Sequence, residues 1–410
     1  MTPIVITDYE LSTHRGPTGS QVKLTSVGWW VVPILIISAL FQNYYDLESV
    51  MSGEFLKLNQ AQGPIAIRAM KDFSYIVIFT AALTYISRNM QIHFGIPFMF
   101  MVILCIVLFF LSLQNHGLLT AGLGLRWALP LLIFMALKDW SWRFDGDRAL
   151  KWIYAGLLIC LLAQIYQLFN MPPIYGTIFG LSARTPGIFL APNTTSFFGC
   201  SCAAFLMVFG KGNAKHTVAG GVLAVVISML AQSGTGIVVS AFLLLHSFLT
   251  RSPAISLMAG GLAMSVILPN LDRFLSRDGV AEISGGGRLE RLSEISAEAA
   301  FTINNFGFYT NAINLANEAG KYRLAVDSLV ASFIGNFGIT AVLALLLLTI
   351  FCVKEFKGVR FEVLLPPLMV FSVFSLTTIV FEAYPMNILL AISFWGVRNA
   401  AFENRTNLHA

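Results

Sequence analysis

Residues 95–113 read GIPFMFMVILCIVLFFLSL, nineteen consecutive positions without a charged side chain. As a helix this stretch rises about 28 Å, enough to cross the hydrocarbon core of a bilayer. The same signature repeats on both sides of it. Apolar runs lie near 24–42, 72–88, 95–113, 117–137, 151–169, 194–210, 217–232, 235–250, 254–270, 328–352, 362–381 and 385–398. They predict an all-α integral membrane protein with about twelve transmembrane helices. The chain of 410 residues is 56% hydrophobic and only 11% charged, against about 25% charged in a soluble domain. A water-facing surface needs more polar cover than that, which excludes a set of soluble domains.

Charge placement sets the direction. With the N-terminus inside, fifteen of the 26 Lys and Arg fall on the inner side. Five, Lys57, Arg68, Lys71, Arg126 and Arg184, are assigned to the outer side, and six to one long outer connection. This is the positive-inside pattern, and losing any one span would invert everything after it. The expected layout is an inner tail at 1–23, nine spans within 24–270, a large outer loop at 271–327, three spans within 328–398 and an inner tail at 399–410. The first 21 residues lack an apolar core, so no cleavable signal peptide is expected. The five cysteines all lie in apolar stretches and read as small buried hydrophobes. Trp29, Trp30, Trp127, Trp140, Trp142, Trp152 and Trp395 fall near span ends and read as an interfacial belt. A net charge of +5 gives no reason to invoke nucleic acid.

Three outer segments concentrate polar chemistry. Arg184-Thr-Pro-Gly-Ile-Phe-Leu-Ala-Pro-Asn193 is rich in turn formers, and Asn193-Thr194-Thr195 offers a cap for the next helix. Gln232-Ser-Gly-Thr-Gly236 makes a tight turn whose small residues permit close backbone approach. In the long loop, Gly285-Gly-Gly287-Arg288 precedes an amphipathic pattern. Leu289, Leu292, Ile295, Ala299 and Ile303 share one face, and Glu290, Glu294 and Glu298 another. Gly287 and Arg288 at that helix start form a candidate phosphate site, competing with a plain glycine hinge.

Arg184–Asn193, Ser233-Gly-Thr-Gly236, Gly287-Arg288 and Asp327-Ser-Leu-Val-Ala-Ser-Phe-Ile-Gly-Asn-Phe-Gly338 occur in an order that resembles the O-antigen polymerase and ligase family. The resemblance covers roughly residues 180–345. It implies a GT-C-like fold with one large periplasmic loop, in the bacterial inner membrane. It implies a glycosyltransferase polymerising undecaprenyl-diphosphate-linked oligosaccharides into a surface polysaccharide, with lipid-linked glycan as both donor and acceptor. It also implies membrane lipid, a chain-length regulator and a flippase as partners. Ligases of the family transfer glycan to lipid A–core and use a loop histidine. Here no histidine lies between His246 and His409, and His116 is the one placed outside. That favours a polymerase, with a ligase as the alternative and a multi-pass transporter as a third reading.

The chemistry asks for little. A diphosphate is already a good leaving group, so fixed cations and one base suffice, without metal or cofactor. Arg184 and Arg288 are the expected diphosphate ligands, with Arg291 as a helper. Each competes with a simpler role as a snorkelling arginine. Asp327 is the expected base, against a simpler role as helix cap. Glu298, Asn193 and Gly287 are further helpers.

Overall fold

The computed structural model describes residues 28–52, 65–88, 95–137, 146–170, 184–210, 213–249, 287–310 and 328–408. Among them the chain forms helices and turns, with no strand. The helices are α1 Gly28–Gln42, α2 Tyr44–Met51, α3 Ile65–Arg88, α4 Ile96–Ala136, α5 Gly146–Asn170, α6 Pro192–Phe209, α7 Ala214–Leu230 and α8 Gly234–Leu249. After the long connection come α9 Gly287–Ala299, α10 Leu329–Phe337, α11 Ala341–Glu355, α12 Phe361–Ser375 and α13 Met386–Leu408. Three apolar helical stretches are long enough to cross a bilayer: Ile96–Ala136, Arg148–Asn170 and Leu329–Glu355. Several shorter apolar helices accompany them. The run at 254–270 lies outside the described residues.

Helix α6 is the hub. Every residue from Thr195 to Leu206 is buried, and the helix packs against α5, α7, α8, α12 and α13. A helix apolar all round belongs in an interior. The run Gly199-Cys-Ser-Cys-Ala-Ala204 is narrow enough for neighbours to approach on every side. Cys160, Cys200 and Cys202 are buried here, as small hydrophobes are. In contrast, α11 turns Val342, Leu345 and Val353 outward, with Val342 78% exposed. An apolar outer face of this kind is stable against lipid and not against water.

Helix α4 is really two. Gly117 leaves helical geometry at φ 83 and ψ 175. On one arm, the Ser112 hydroxyl donates to the Phe306 carbonyl at 2.6 Å. On the other, a Cβ on Gly124 would stand 2.9 Å from the Gly307 nitrogen. Twelve residues of straight helix span about 18 Å, too far for both contacts. The chain therefore bends back near Gly117, which recovers the two separate runs expected at 95–113 and 117–137.

Some expectations need correction. The run expected at 362–381 stops being helical at Ser375, and Val380–Glu382 is a short 3₁₀ turn. Ile379, Val380 and Phe381 stay buried without helical backbone, so hydropathy overshot the helix end. The inner tail expected from 399 continues α13 to Leu408. Trp127 faces neither lipid nor water. It is fully buried, with Phe333, Phe337 and Phe381 ring centroids 5.3 to 6.2 Å away. Trp395 is also buried, and its indole N–H donates to the Phe134 carbonyl. Beside it, Arg398 pairs with the buried Glu355 at 2.8 Å, joining α11 to α13. Trp30 does lie at the surface.

Candidate functional site

The segment from Arg184 to Asn193 has almost no regular structure, yet its backbone groups find partners. Gln167 of α5 closes on Gly187 twice: its amide donates to the Gly187 carbonyl and accepts the Gly187 N–H, both at 2.7 Å. Gln164, one turn earlier, donates to the Thr185 and Ile227 carbonyls. The Thr185 hydroxyl donates to the Leu230 carbonyl at 2.9 Å, and Thr195 donates to the Pro186 carbonyl. Gly187 sits at φ +61, a conformation that favours glycine. Two buried glutamines thus replace the ladder that an irregular loop lacks.

Arg184 is half-buried, and its Nε donates to the Ala231 carbonyl at 3.3 Å. Asn193 is not the cap of α6. Ala191 takes the N-cap position, without a side-chain bond. Asn193 instead accepts from the Ser233 hydroxyl at 2.9 Å and donates to Thr378 Oγ1 at 2.8 Å. The Arg184 loop, the 231–233 turn and residues 377–378 therefore meet at one end of the bundle. Gly236 gives α8 room to press on Ser196 of α6, the close approach expected of that turn.

The later motif has a different use. Asn336 is buried on α10, and its Oδ1 accepts the Gly307 and Tyr309 N–H groups. Its amide donates to the Tyr309 carbonyl, as does the Ser332 hydroxyl. Gly335 leaves room for the Tyr309 ring, and Gly338 for Thr302. The small and polar residues between Ser328 and Gly338 thus hold residues 299–310 against α10. Helix α9 begins at Gly287, where the glycine run ends, and buries Ile295 and Ala299. Its apolar face meets α10 rather than lying free on a membrane surface. Ile303 is a correction: it lies past the helix end and is 44% exposed.

Glu298 is exposed. Burial pushes the Tyr309 phenol up to about 12, and the Glu298 charge adds to that. Gly287 and Arg288 stand in the first turn of α9, but the Arg288 and Arg291 side chains lie outside the described residues. Asp327 does too. The cap of α10 is Ser328, whose hydroxyl accepts the Ala331 N–H at 3.2 Å. His116, on the α4 bend, reaches Asn305 Oδ1 at 3.3 Å and lies against the Phe308 ring.

A second polar cluster escaped the sequence. Arg126, midway along the second arm of α4, pairs with Asp72 of α3 at 2.7 Å. Lys71 is 9% exposed, and its Nζ donates to the Glu382 main-chain carbonyl at 3.2 Å. Lys71 precedes the expected span at 72–88. Burial and the Arg126 charge pull its ammonium down to about 8, while Glu382 and Asp72 pull it up. Around it, the Asn387 amide donates to the Tyr75 hydroxyl and the Phe381 carbonyl, and Tyr384 pairs with Ser38. The stretch 377–387 belongs to both clusters: Thr377 and Thr378 touch Asn193, while Glu382 and Asn387 touch α3. Among the described residues, no group of three His, Cys, Asp or Glu is arranged to hold a metal.

Comparison of the chain with protein-family models, with characterised proteins and with solved structures gives no match.

Proposed function

We propose that this chain is a membrane glycosyltransferase that polymerises undecaprenyl-diphosphate-linked oligosaccharides on the outer face of a bacterial inner membrane. One observation supports the reading above others. Arg184 is seated beside Ala231 by a loop that two buried glutamines brace, and Asn193 ties that loop to residues 377–378. A guanidinium set in a braced, irregular loop suits a phosphate ligand, because the fork pairs with oxygens and never loses its charge. Arg288, in the first turn of α9, adds a helix N-terminus and a second cation. A carboxylate then takes the acceptor hydroxyl's proton as the sugar leaves its diphosphate. In this reading the carboxylate is Asp327, next in sequence to the Ser328 cap of α10. The twelve spans, the inner-membrane location and the outward-facing site belong to this proposal.

The decisive assay is purified protein with a lipid-linked repeat unit. A ladder of lengthening products is the expected result. Arg184→Ala and Arg288→Ala are expected to slow it by about 10²–10³-fold, the usual cost of losing one charge-stabilising donor. A folded wild-type protein that turns over no lipid-linked glycan would remove the proposal. The ligase reading keeps one specific support, the contact of His116 with Asn305. Transfer to lipid A–core, abolished by His116→Ala, would select it.

A further inference from the structure

We propose that the ion pair of Arg126 and Asp72 is a binding site for one zwitterionic phospholipid, whose phosphate meets Arg126 and whose ammonium meets Asp72. The site is separate from the Arg184 loop. It rests on α3 and α4 crossing a bilayer and not on the glycosyl-transfer reading. Level is the first argument. Ser112 on one arm of α4 and Gly124 on the other both meet residues 306–307. Gly124 therefore lies level with Ser112, next to the end of the apolar run at 95–113. Arg126 is two positions further along, about 3 Å deeper. On α3, Asp72 opens the apolar run at 72–88. Both helices thus put the pair at the hydrocarbon boundary on the Gly117 side, where a guanidinium reaches lipid phosphates.

Exposure is the second argument. The two side chains touch at 2.7 Å and are 36% and 39% exposed. Phe73 and Ile76 on α3 and Leu125 on α4 are exposed beside them. The pair therefore stands open in an apolar, outward-facing surface along the seam where α3 packs on α4. Charges facing lipid lack the water that would solvate them, and a polar headgroup can supply that solvation. A guanidinium has five N–H donors, and Asp72 engages this one at Nε. The neighbouring apolar side chains offer a bed for the acyl chains.

Charge complementarity is the third argument, and it selects the headgroup. Lys71, next to Asp72, turns inward: it is buried, and its Nζ donates to the Glu382 main-chain carbonyl at 3.2 Å. The Tyr75 hydroxyl is also buried and accepts from Asn387. What this seam presents outward is thus one cation beside one anion. A phosphoethanolamine headgroup carries the complementary pair, with phosphate oxygens for the guanidinium and ammonium N–H groups for the carboxylate. An anionic headgroup would satisfy Arg126 alone and meet repulsion from Asp72.

The test titrates the purified full chain in detergent with phosphatidylethanolamine, phosphatidylglycerol and free phosphoethanolamine, and counts what stays bound by native mass spectrometry. Phosphatidylethanolamine is expected to bind best. Arg126→Ala should weaken it about tenfold, the effect of losing one charge-assisted hydrogen bond. Asp72→Asn should weaken phosphatidylethanolamine and strengthen phosphatidylglycerol, because the guanidinium is then left to an anion alone. Equal binding of the two phospholipids overturns the assignment, and so does free phosphoethanolamine that binds as well as the lipid. Displacement of bound phosphatidylethanolamine by undecaprenyl diphosphate would give the site to that lipid instead. A folded Arg126→Ala chain with undiminished retention also overturns the proposal. Should Arg126→Ala fail to fold, an unchanged lipid preference in Asp72→Asn does the same. None of these results bears on glycosyl transfer, which is read separately in the product ladder.

Discussion

The Asn336 side chain accepts the Gly307 N–H at 2.8 Å across 29 positions of sequence. It thereby ties the segment that follows α9 to α10. Asn336 is 1% exposed, and both ends of its amide are used. Asn336→Ala would leave the N–H groups of Gly307 and Tyr309 buried without this acceptor, while the Tyr309 carbonyl keeps the Ser332 hydroxyl. The expected cost is about 1–3 kcal/mol for each group left unsatisfied. It should appear as a lower unfolding midpoint in detergent and as faster proteolysis near residues 300–310. An unchanged midpoint and unchanged cleavage would refute the account.

The 184–193 loop makes its own prediction. At Gly187 the backbone is at φ +61, and an added Cβ would stand 2.9 Å from Cys160 Sγ. Gly187→Ala therefore meets two separate obstacles, backbone strain and a close contact. Pairing it with Cys160→Ala should relieve the contact but not the strain, so thermal stability should recover only in part. Full recovery would show that the left-handed backbone carries no cost.

Tyr309 gives a pH dependence with a definite sign. Its phenol ionises near 10 in an unfolded chain and near 12 in the folded one. Between those values the folded state keeps a proton that the unfolded state has released. The stabilisation is complete below pH 10 and is lost as pH rises toward 12. Tyr309→Phe should flatten that decline in unfolding midpoint measured against pH. A parallel decline in the variant would assign the effect to another group.

Much of the helical layout could be read from hydropathy, because each span is a local run. The site was less legible. By sequence alone Lys71 and Arg126 read as orientation charges, although Arg126 lies well inside a helix. Glu382 sat at the edge of an apolar run whose backbone is not helical. Nothing local links positions 71, 72, 126 and 382, and only folding places them together. Arg184 and Asn193 were recognised by the irregularity of their segment, but Gln164 and Gln167, which brace it, look like ordinary polar positions on a span. Gly117, where the helix breaks, falls at the junction of the two apolar runs 95–113 and 117–137.

Orientation can be measured directly. Ala191, at the Arg184 loop, is exposed, and so is Lys357, past the end of α11. The native thiols Cys105, Cys160, Cys200 and Cys202 are buried, and Cys352 is half-buried. Cysteines introduced as Ala191→Cys and Lys357→Cys should therefore be read against a low background, in a Cys352→Ala chain. An impermeant thiol reagent is expected to label Ala191→Cys in intact cells, and Lys357→Cys only after permeabilisation. Labelling of both from one side would overturn the twelve-span arrangement.

The contact between Gly124 and Gly307 has a historical consequence. A Cβ on either would strike the opposing chain, at the Phe306 ring in one case and the Thr120 carbonyl in the other. Neither position can shrink to compensate for growth in the other, since both already lack a side chain. The two sites should therefore be inherited as a unit. A descendant sequence carrying a larger residue at one of them is expected to have rerouted the whole connection, not merely adjusted it.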